Sequence, residues 1–529
     1  MKNKILIYFL MVLFAGVTTS SCKKYLDINK NPNQPTTSTP QLLIPLGITA
    51  TASALNGYNT YGAQMGLYMA NAGGYGGFGS NVTYNYSVTD YTGLWGLFDV
   101  NEDFYLAKGL SADPSLMYLN AISRIMLAHN FQLLVDTYNS VPYFEALQGN
   151  GNTTPKFDDP VLIYADLARQ LDSAIILINQ GQTADVHPLA VSDGQDPMFH
   201  GNMDSWKKFA NTVKLRLMIT SNGKVDFANT QFDAAGFLTD DALVNPGYTR
   251  DNGKQNPKWN TWAYSYTGSD GNKAWMPSTF IMGFYDGKKL MDEGRGYAVY
   301  YQFPSTPTNR LGFENNNDVK PSPAGSFWYP STNRTGSAAG NTTGVLKGPN
   351  ASMPVITAAE SYFLQAEAVV RGILSSNTTA LELFNHGIES SFLYLYELPD
   401  GSIDQNLSGD PMEDFESYLV ENDGSYLVNF ELAATDNQKI EAIITQKFIA
   451  LNMVNSNQAW NDYRRTHYPT IVSVAGANGT QTFASTQSQS VRPDKLPTRV
   501  AYPSAEISSN PNTPNGISAL SSTVFWAMP

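Results

Sequence analysis

The stretch from Asp113 to Val135, DPSLMYLNAISRIMLAHNFQLLV, constrains the fold more than any other. Asp followed by Pro is a strong helix start, because the carboxylate can accept from free backbone N–H groups and Pro has none to lose at the first position. Beyond it, apolar residues fall on nearly every face. Such a helix cannot lie on a surface and has to run through the middle of a helical assembly. The spacing predicts this helix over 114–138 and others near 41–70, 93–108, 160–179, 202–221, 355–373, 378–396 and 438–456.

In 355–373 the residues Ile356, Ala359, Phe363, Ala366, Val370 and Ile373 form one apolar stripe, ending around Gly372 and a polar run. TALELFNHGIESSFLYLY follows after a short turn, so the two helices should form an antiparallel pair. Several such pairs give an all-α scaffold that resembles tetratricopeptide stacking, although no clean 34-residue repeat is present. Between 222 and 353, and again over 466–529, the chain is rich in Gly, Asn and Pro and has no sustained helical period. Long irregular stretches in a folded protein are functional or disordered. Trp259, Trp262, Tyr264, Trp275, Trp328 and Tyr329 favour order, since disordered segments are poor in such rings.

Those rings are also the best lead to a ligand. Charged residues make up 15% of the chain and aromatic ones 12%, which suits uncharged polar ligands better than phosphorylated ones. Sugar rings stack on Trp and Tyr faces. The candidate ligand contacts are therefore Trp259, Trp262, Tyr264, Trp275, Trp328 and Tyr329, together with Tyr75 on the loop GGYGGFGS. The competing reading is that each ring pins an irregular segment as a local core.

The N-terminus begins Met1, Lys2, Asn3, Lys4 and continues as an apolar run from Ile5 to Val17, too short to span a bilayer, with small polar residues before Cys22. This reads as a signal peptide over 1–21, and Cys22 is the only cysteine of the chain. The arrangement resembles a bacterial lipoprotein signal, with Ser20 and Ser21 in place and Thr19 where an aliphatic residue is usual. In that reading Cys22 is the lipidation site and residues 22–40 are a polar tether. Removing Lys2 and Lys4 with the signal takes the formal charge from -13 to -15. A chain so acidic has no electrostatic case for nucleic acid.

Catalytic and cofactor motifs fail one by one. Gly74, Gly76 and Gly79 have dinucleotide-loop spacing, but a helical pattern precedes them where a strand is needed. The five histidines (His129, His187, His200, His386, His467) show no metal-ligand pairing, and His129 falls in the central helix as a core residue. Asp27, Asn29 and Asn31 begin a calcium-loop spacing that Pro32 and Ser38 break. Glu360 and Glu367 lie on one helix face with a rise of about 10.5 Å, long for a glycosidase pair, and Arg371 follows Glu367 by one turn. Ser205 and Lys208 match S-x-x-K without its companion motifs. No cofactor and no catalytic residue is expected.

Several stretches together resemble one family, the SusD/RagB-like nutrient-binding lipoproteins of the Bacteroidota outer membrane. The motif W-x-x-Y-R-R-T-G-Y-P reads QAWNDYRRTHYP over 458–469. YLDINKNPNQP after the cysteine, LLVDTYNSVPYFEALQG (133–149), SWKKFANTVKLRLMI (205–219), AESYFLQAEAVVRG (359–372), ITQKFIAL (444–451) and LPTRVAYPSAEISSN (496–510) have the same look. Departures are His467 in place of Gly, Asn139–Ser140 in place of Gly–Asp, and MDEGRGY (291–297) where D-P-R is common. The resemblance implies a single domain over 41–529, with scaffold segments 41–221 and 354–465, a ligand-side lobe over 222–353 and an irregular segment over 466–529. It implies a non-enzymatic lid over a SusC-like TonB-dependent transporter, capturing a glycan or in some members a peptide. Trp460, Tyr463, Arg464 and Arg465 read as framework. A secreted polysaccharide-degrading enzyme and a protein-binding helical scaffold remain the alternatives.

Overall fold

The computed structural model describes residues 38–183, 185, 187–314, 319–405, 409–472 and 477–529. Cys22, the signal peptide, most of the tether and the Asp27–Asn31 run lie outside the described residues. The architecture is all-α, built from tetratricopeptide-like helix pairs. Its scaffold helices are α1 (Pro40–Gly62), α2 (Leu97–Leu110), α3 (Met117–Tyr138), α4 (Pro160–Gly181) and α5 (Met203–Thr220). The irregular stretch that follows holds only short helices, among them α6 (Pro257–Trp262) and α7 (Glu293–Val299). The scaffold resumes with α8 (Ala358–Val370), α9 (Ala380–Tyr396), α10 (Pro411–Glu421), α11 (Asp436–Ala450) and α12 (Ser456–Thr466).

Side-chain caps set most of the starts. Asp113 accepts from Ser115 N at 2.8 Å, but a single 3₁₀ turn over Pro114–Leu116 precedes α3. Thr379 with Glu382, and Thr435 with Gln438, close reciprocal capping boxes at α9 and α11. Consecutive helices pack side by side: α3 on α4, α4 on α5, α5 on α8, and α8 on both α9 and α11. The central helix is α3, buried over almost its whole length as its sequence demands. His129 within it is buried, its imidazole pushed down to about 3 by burial and by the nearby Arg216.

Two predicted helices end early. The 41–70 pattern becomes α1 plus a π-helical turn over Ala63–Leu67. A side chain on Gly62 would sit 2.3 Å from the backbone of Ser456 and Asn457, so glycine there lets the start of α12 cross α1. The 438–456 pattern stops at Ala450, and its freed carbonyls find a distant donor: Lys258 Nζ reaches Met453 O at 2.6 Å and Val454 O at 3.2 Å.

Two short antiparallel pairs staple the irregular lobe to the scaffold. In one, β1 (Met69–Asn71) pairs with β3 (Trp275–Pro277); in the other, β2 (Ala242–Val244) pairs with β4 (Met353–Ile356). Scaffold and lobe share one continuous apolar core. The closing segment returns to the middle of the molecule. Tyr502 donates to Ser140 O at 2.7 Å, Phe525 N to Asn139 Oδ1 at 2.6 Å, and Trp526 Nε1 to Asp136 Oδ1 at 2.9 Å. Asn139 and His467, two of the departures from the family pattern, both adopt positive φ, 65° and 60°, so the turns keep a backbone that glycine takes most easily. Among the described residues no helix is long and apolar enough to cross a membrane.

Candidate ligand-binding cleft

A cleft of about 480 Å³ opens where the irregular lobe meets α10. One wall is α7, from the sequence DEGRGYAV. Its N-cap is Asp292, whose carboxylate accepts from Arg295 N at 3.2 Å and pairs with the Arg295 guanidinium at 2.7 Å. Arg295 is fully buried, donates to Ser391 of α9 at 3.2 Å, and lies over the rings of Phe392 and Tyr418. That anchor fixes α7 against α9 and α10. Gly294 permits the close approach, since a Cβ there would meet Tyr396 Oη at 2.5 Å and Asp414 Cβ at 2.8 Å.

With one side of α7 held inward, Glu293 and Tyr297, four residues apart, share the side that lines the cleft. Tyr297 is 52% exposed and rests edge-on against Phe303, with ring centroids 5.1 Å apart. Asp414 enters from α10 and accepts from Tyr396 Oη at 2.5 Å. Burial and the Asp414 charge push that phenol above its ordinary value. The opposite wall is irregular backbone, Pro330–Thr332 and Thr342–Thr343. Gly344 N donates to Leu395 O at 2.7 Å, and Lys347 Nζ donates to the carbonyls of Tyr394 and Glu397, which ties this wall to the end of α9. The result is a polar hollow with one accessible ring, four hydroxyl side chains and two carboxylates.

The candidate rings divide. Tyr75 is 41% exposed, on a loop tied down by Gly73 N donating to Lys320 O at 3.1 Å, and it does not line the cleft. Trp259, Trp262, Tyr264, Trp275, Trp328 and Tyr329 are all buried, so none presents a ring face to solvent. Trp259 meets Tyr329 edge-on at 5.4 Å, Tyr264 meets Tyr329 at 5.9 Å, and Trp262 meets Trp328 at 6.0 Å. Arg334 caps this cluster 4.0 Å above the Tyr301 ring and donates to Tyr329 O at 2.7 Å. Trp275 stands apart against Phe78, at 5.3 Å. α6 and β3 are too short, and the segments around Tyr264, Trp328 and Tyr329 too irregular, to give a period by which sequence could assign these rings to inside or outside, and the local-core reading is the one their burial matches. Of them, Tyr329 immediately precedes the wall residues Pro330, Ser331 and Thr332.

Sequence reasoning missed Glu293, Tyr297, Thr342 and Asp414. Asp410–Pro411 carries the same start signal as Asp113–Pro114 and could have placed α10, where the Asp410 carboxylate accepts from Met412 N at 2.8 Å.

The family motif and the paired glutamates form the framework. Trp460 stacks on Tyr463 at 5.9 Å, both buried. Arg464 donates to Asp136 O at 2.8 Å and to Thr498 O at 3.2 Å. Arg465 grips Glu367 through both terminal nitrogens at 2.5 Å and also pairs with Asp462 at 2.7 Å. Burial would raise the Glu367 pKa, but Arg465, Arg371 and Lys447 override it and hold the carboxyl at about 2. Glu360 is bound by Arg216 at 3.3 Å and by Asn455 at 2.9 Å, deep in the core. Both glutamates are thus committed to structural ion pairs.

Comparisons with known proteins agree with this architecture. Residues 32–246 match the family model described as "Starch-binding associating with outer membrane", and residues 334–523 match the one described as "Susd and RagB outer membrane lipoprotein". Between them they span well over half of the chain, which belongs to the SusD/RagB-like family of outer-membrane, nutrient-binding proteins. Similar solved structures include a SusD homolog from Bacteroides uniformis (20% identity, TM-score 0.66, covering 92% of this chain and 99% of that one). Another is a SusD homolog from Bacteroides fragilis (16%, TM-score 0.62, 93% and 99%). A third is a chitin-binding protein (20%, TM-score 0.63, 93% and 100%). At these identities the likeness establishes the fold. No functionally curated protein matches the sequence.

Proposed function

We propose that this protein captures an oligomeric nutrient, a glycan, at the cell surface and hands it to a SusC-like TonB-dependent transporter, held to the outer membrane by lipid on Cys22. The observation that carries the reading is the cleft between α7 and α10, where the exposed Tyr297 ring lies among hydroxyl side chains. An aromatic face with convergent hydroxyls and carboxylates is the equipment for holding a sugar, whose rings are apolar on their faces and hydrogen-bonding at their edges. The family descriptions and the chitin-binding relative support a glycan over a peptide. In this reading Tyr75 contacts ligand on a separate surface, while Trp259, Trp262, Tyr264, Trp275, Trp328 and Tyr329 contribute from beneath by fixing loops. The protein binds without turnover. Titration calorimetry against an oligosaccharide panel should give saturable binding with the sugar unchanged, weakened by Tyr297→Ala. Detergent-solubilised outer membrane should yield a barrel transporter in pull-down. Product formation that survives purification, or recovery of no transporter, would overturn the proposal.

A further inference from the structure

The charge in the cleft narrows what can enter it. Glu293 and Asp414 line the same hollow, and among the described residues no lysine or arginine lines it with them. The cations behind the walls are engaged elsewhere: Arg295 on Asp292 in the core, Lys347 on the carbonyls of Tyr394 and Glu397, and Arg334 on the carbonyls of Ser326, Tyr329 and Ser331. Asp414 packs against the first turn of α7, where a Cβ on Gly294 would lie 3.0 Å from Asp414 Cγ, and both it and Glu293 line the hollow. Among the described residues the Asp414 carboxylate takes one hydrogen bond, from Tyr396.

A second observation lies in the wall of the same hollow. Thr342 lines the cleft, is 2% exposed, and its hydroxyl has no hydrogen-bond partner among the described residues. Buried hydroxyls are rarely left so, and a small shift of this wall as ligand enters would bring the hydroxyl to a ligand's donor or acceptor.

We infer that the cleft selects oligosaccharides carrying free protonated amines, with an ammonium between Glu293 and Asp414 and a sugar ring on Tyr297. This rests on the glycan-capturing reading above and adds its charge preference. Acidic sugars would meet two like charges, with the guanidinium behind the opposite wall, Arg334, already held by backbone carbonyls. A lysine-rich peptide supplies the charge but leaves the threonine and serine hydroxyls facing an aliphatic stem, so the saccharide fits better.

The test uses three β-1,4-linked hexamers that differ at one position of the ring: cellohexaose with a hydroxyl, the glucosamine hexamer with an amine, and the N-acetylglucosamine hexamer with an amide. At pH 6, where sugar amines carry charge, and at low salt, the glucosamine hexamer should bind about tenfold more tightly than cellohexaose. In Glu293→Gln/Asp414→Asn, and in 0.5 M salt, the difference should shrink to about twofold or less. Equal affinities in the unaltered protein, or a preference that survives the double substitution, would overturn the charge preference while leaving glycan capture standing. Binding of none of the three would remove both readings of the cleft. Hexalysine binding as tightly as the glucosamine hexamer would overturn the saccharide class.

Discussion

Replacing Glu367 with glutamine should destabilise the protein by about 3 kcal/mol at neutral pH. The magnitude follows from the carboxyl itself: a free glutamate titrates near 4.5, this one is held at about 2, and that difference is worth about 3 kcal/mol of preference for the folded state. The substitution keeps the volume but leaves Arg465 buried with Asp462 as its remaining acidic partner, and breaking a buried pair from one side costs about 3–5 kcal/mol. The sign in acid is also fixed. A depressed carboxyl contributes its full stabilisation above about pH 4.5 and loses it as pH falls toward 2, so the gap between the original protein and Glu367→Gln should narrow to about 2 kcal/mol at pH 3.5. Urea unfolding followed by tryptophan fluorescence at pH 7, 5 and 3.5 measures the gap directly. An unchanged midpoint at pH 7, or a gap that stays constant into acid, would refute the assignment of this pair as the tie between α8 and α12.

Trp259→Ala removes a fully buried ring and should cost about 3–5 kcal/mol in urea unfolding, with cleft affinity falling only through the displaced wall at 330–332; weakened binding without lost stability would instead make Trp259 a direct contact. Lys258, pushed down to about 7 by burial, carries its proton in the unfolded chain up to about pH 10.4, so the unfolded state holds more protons between these values and stability should rise with pH across that window. Lys258→Met should flatten that rise, and an unchanged pH profile would exclude the lysine as its source. Cys22→Ser should move the protein from the membrane fraction to the soluble one, and continued attachment would remove the lipid anchor from the proposal.

Helix positions were readable where local signals sufficed. Asp113–Pro114 and the apolar run behind it located α3, and the stripe through Phe363 and Ala366 located the α8–α9 pair, because a helix core declares itself through its period. What local signals could not give was anything decided by distant chain. The break after Ala450 is stabilised by Lys258, and the need for glycine at the end of α1 comes from the crossing backbone of Ser456 and Asn457. The cleft is of the same kind. Glu293 and Tyr297 sit in DEGRGY, whose two glycines read as loop, and Thr342 and Asp414 reach them from the far side of the lobe and from α10. Aromatic content marked the lobe as ordered, yet the ring exposed in the cleft, Tyr297, was not among the candidates.

The bond between Trp526 and Asp136 joins residues 390 positions apart. Burial raises Asp136 to about 6 even with Tyr164, Arg464, Arg216 and Trp526 around it, so the central helix carries a carboxyl in need of every partner. One of those partners arrives only when residue 526 has joined the fold. A chain cut short, stalled or still threading through a pore leaves that carboxyl one donor short in the middle of its core. The latch thereby couples the packing of the central helix to the docking of a segment that arrives late in the chain.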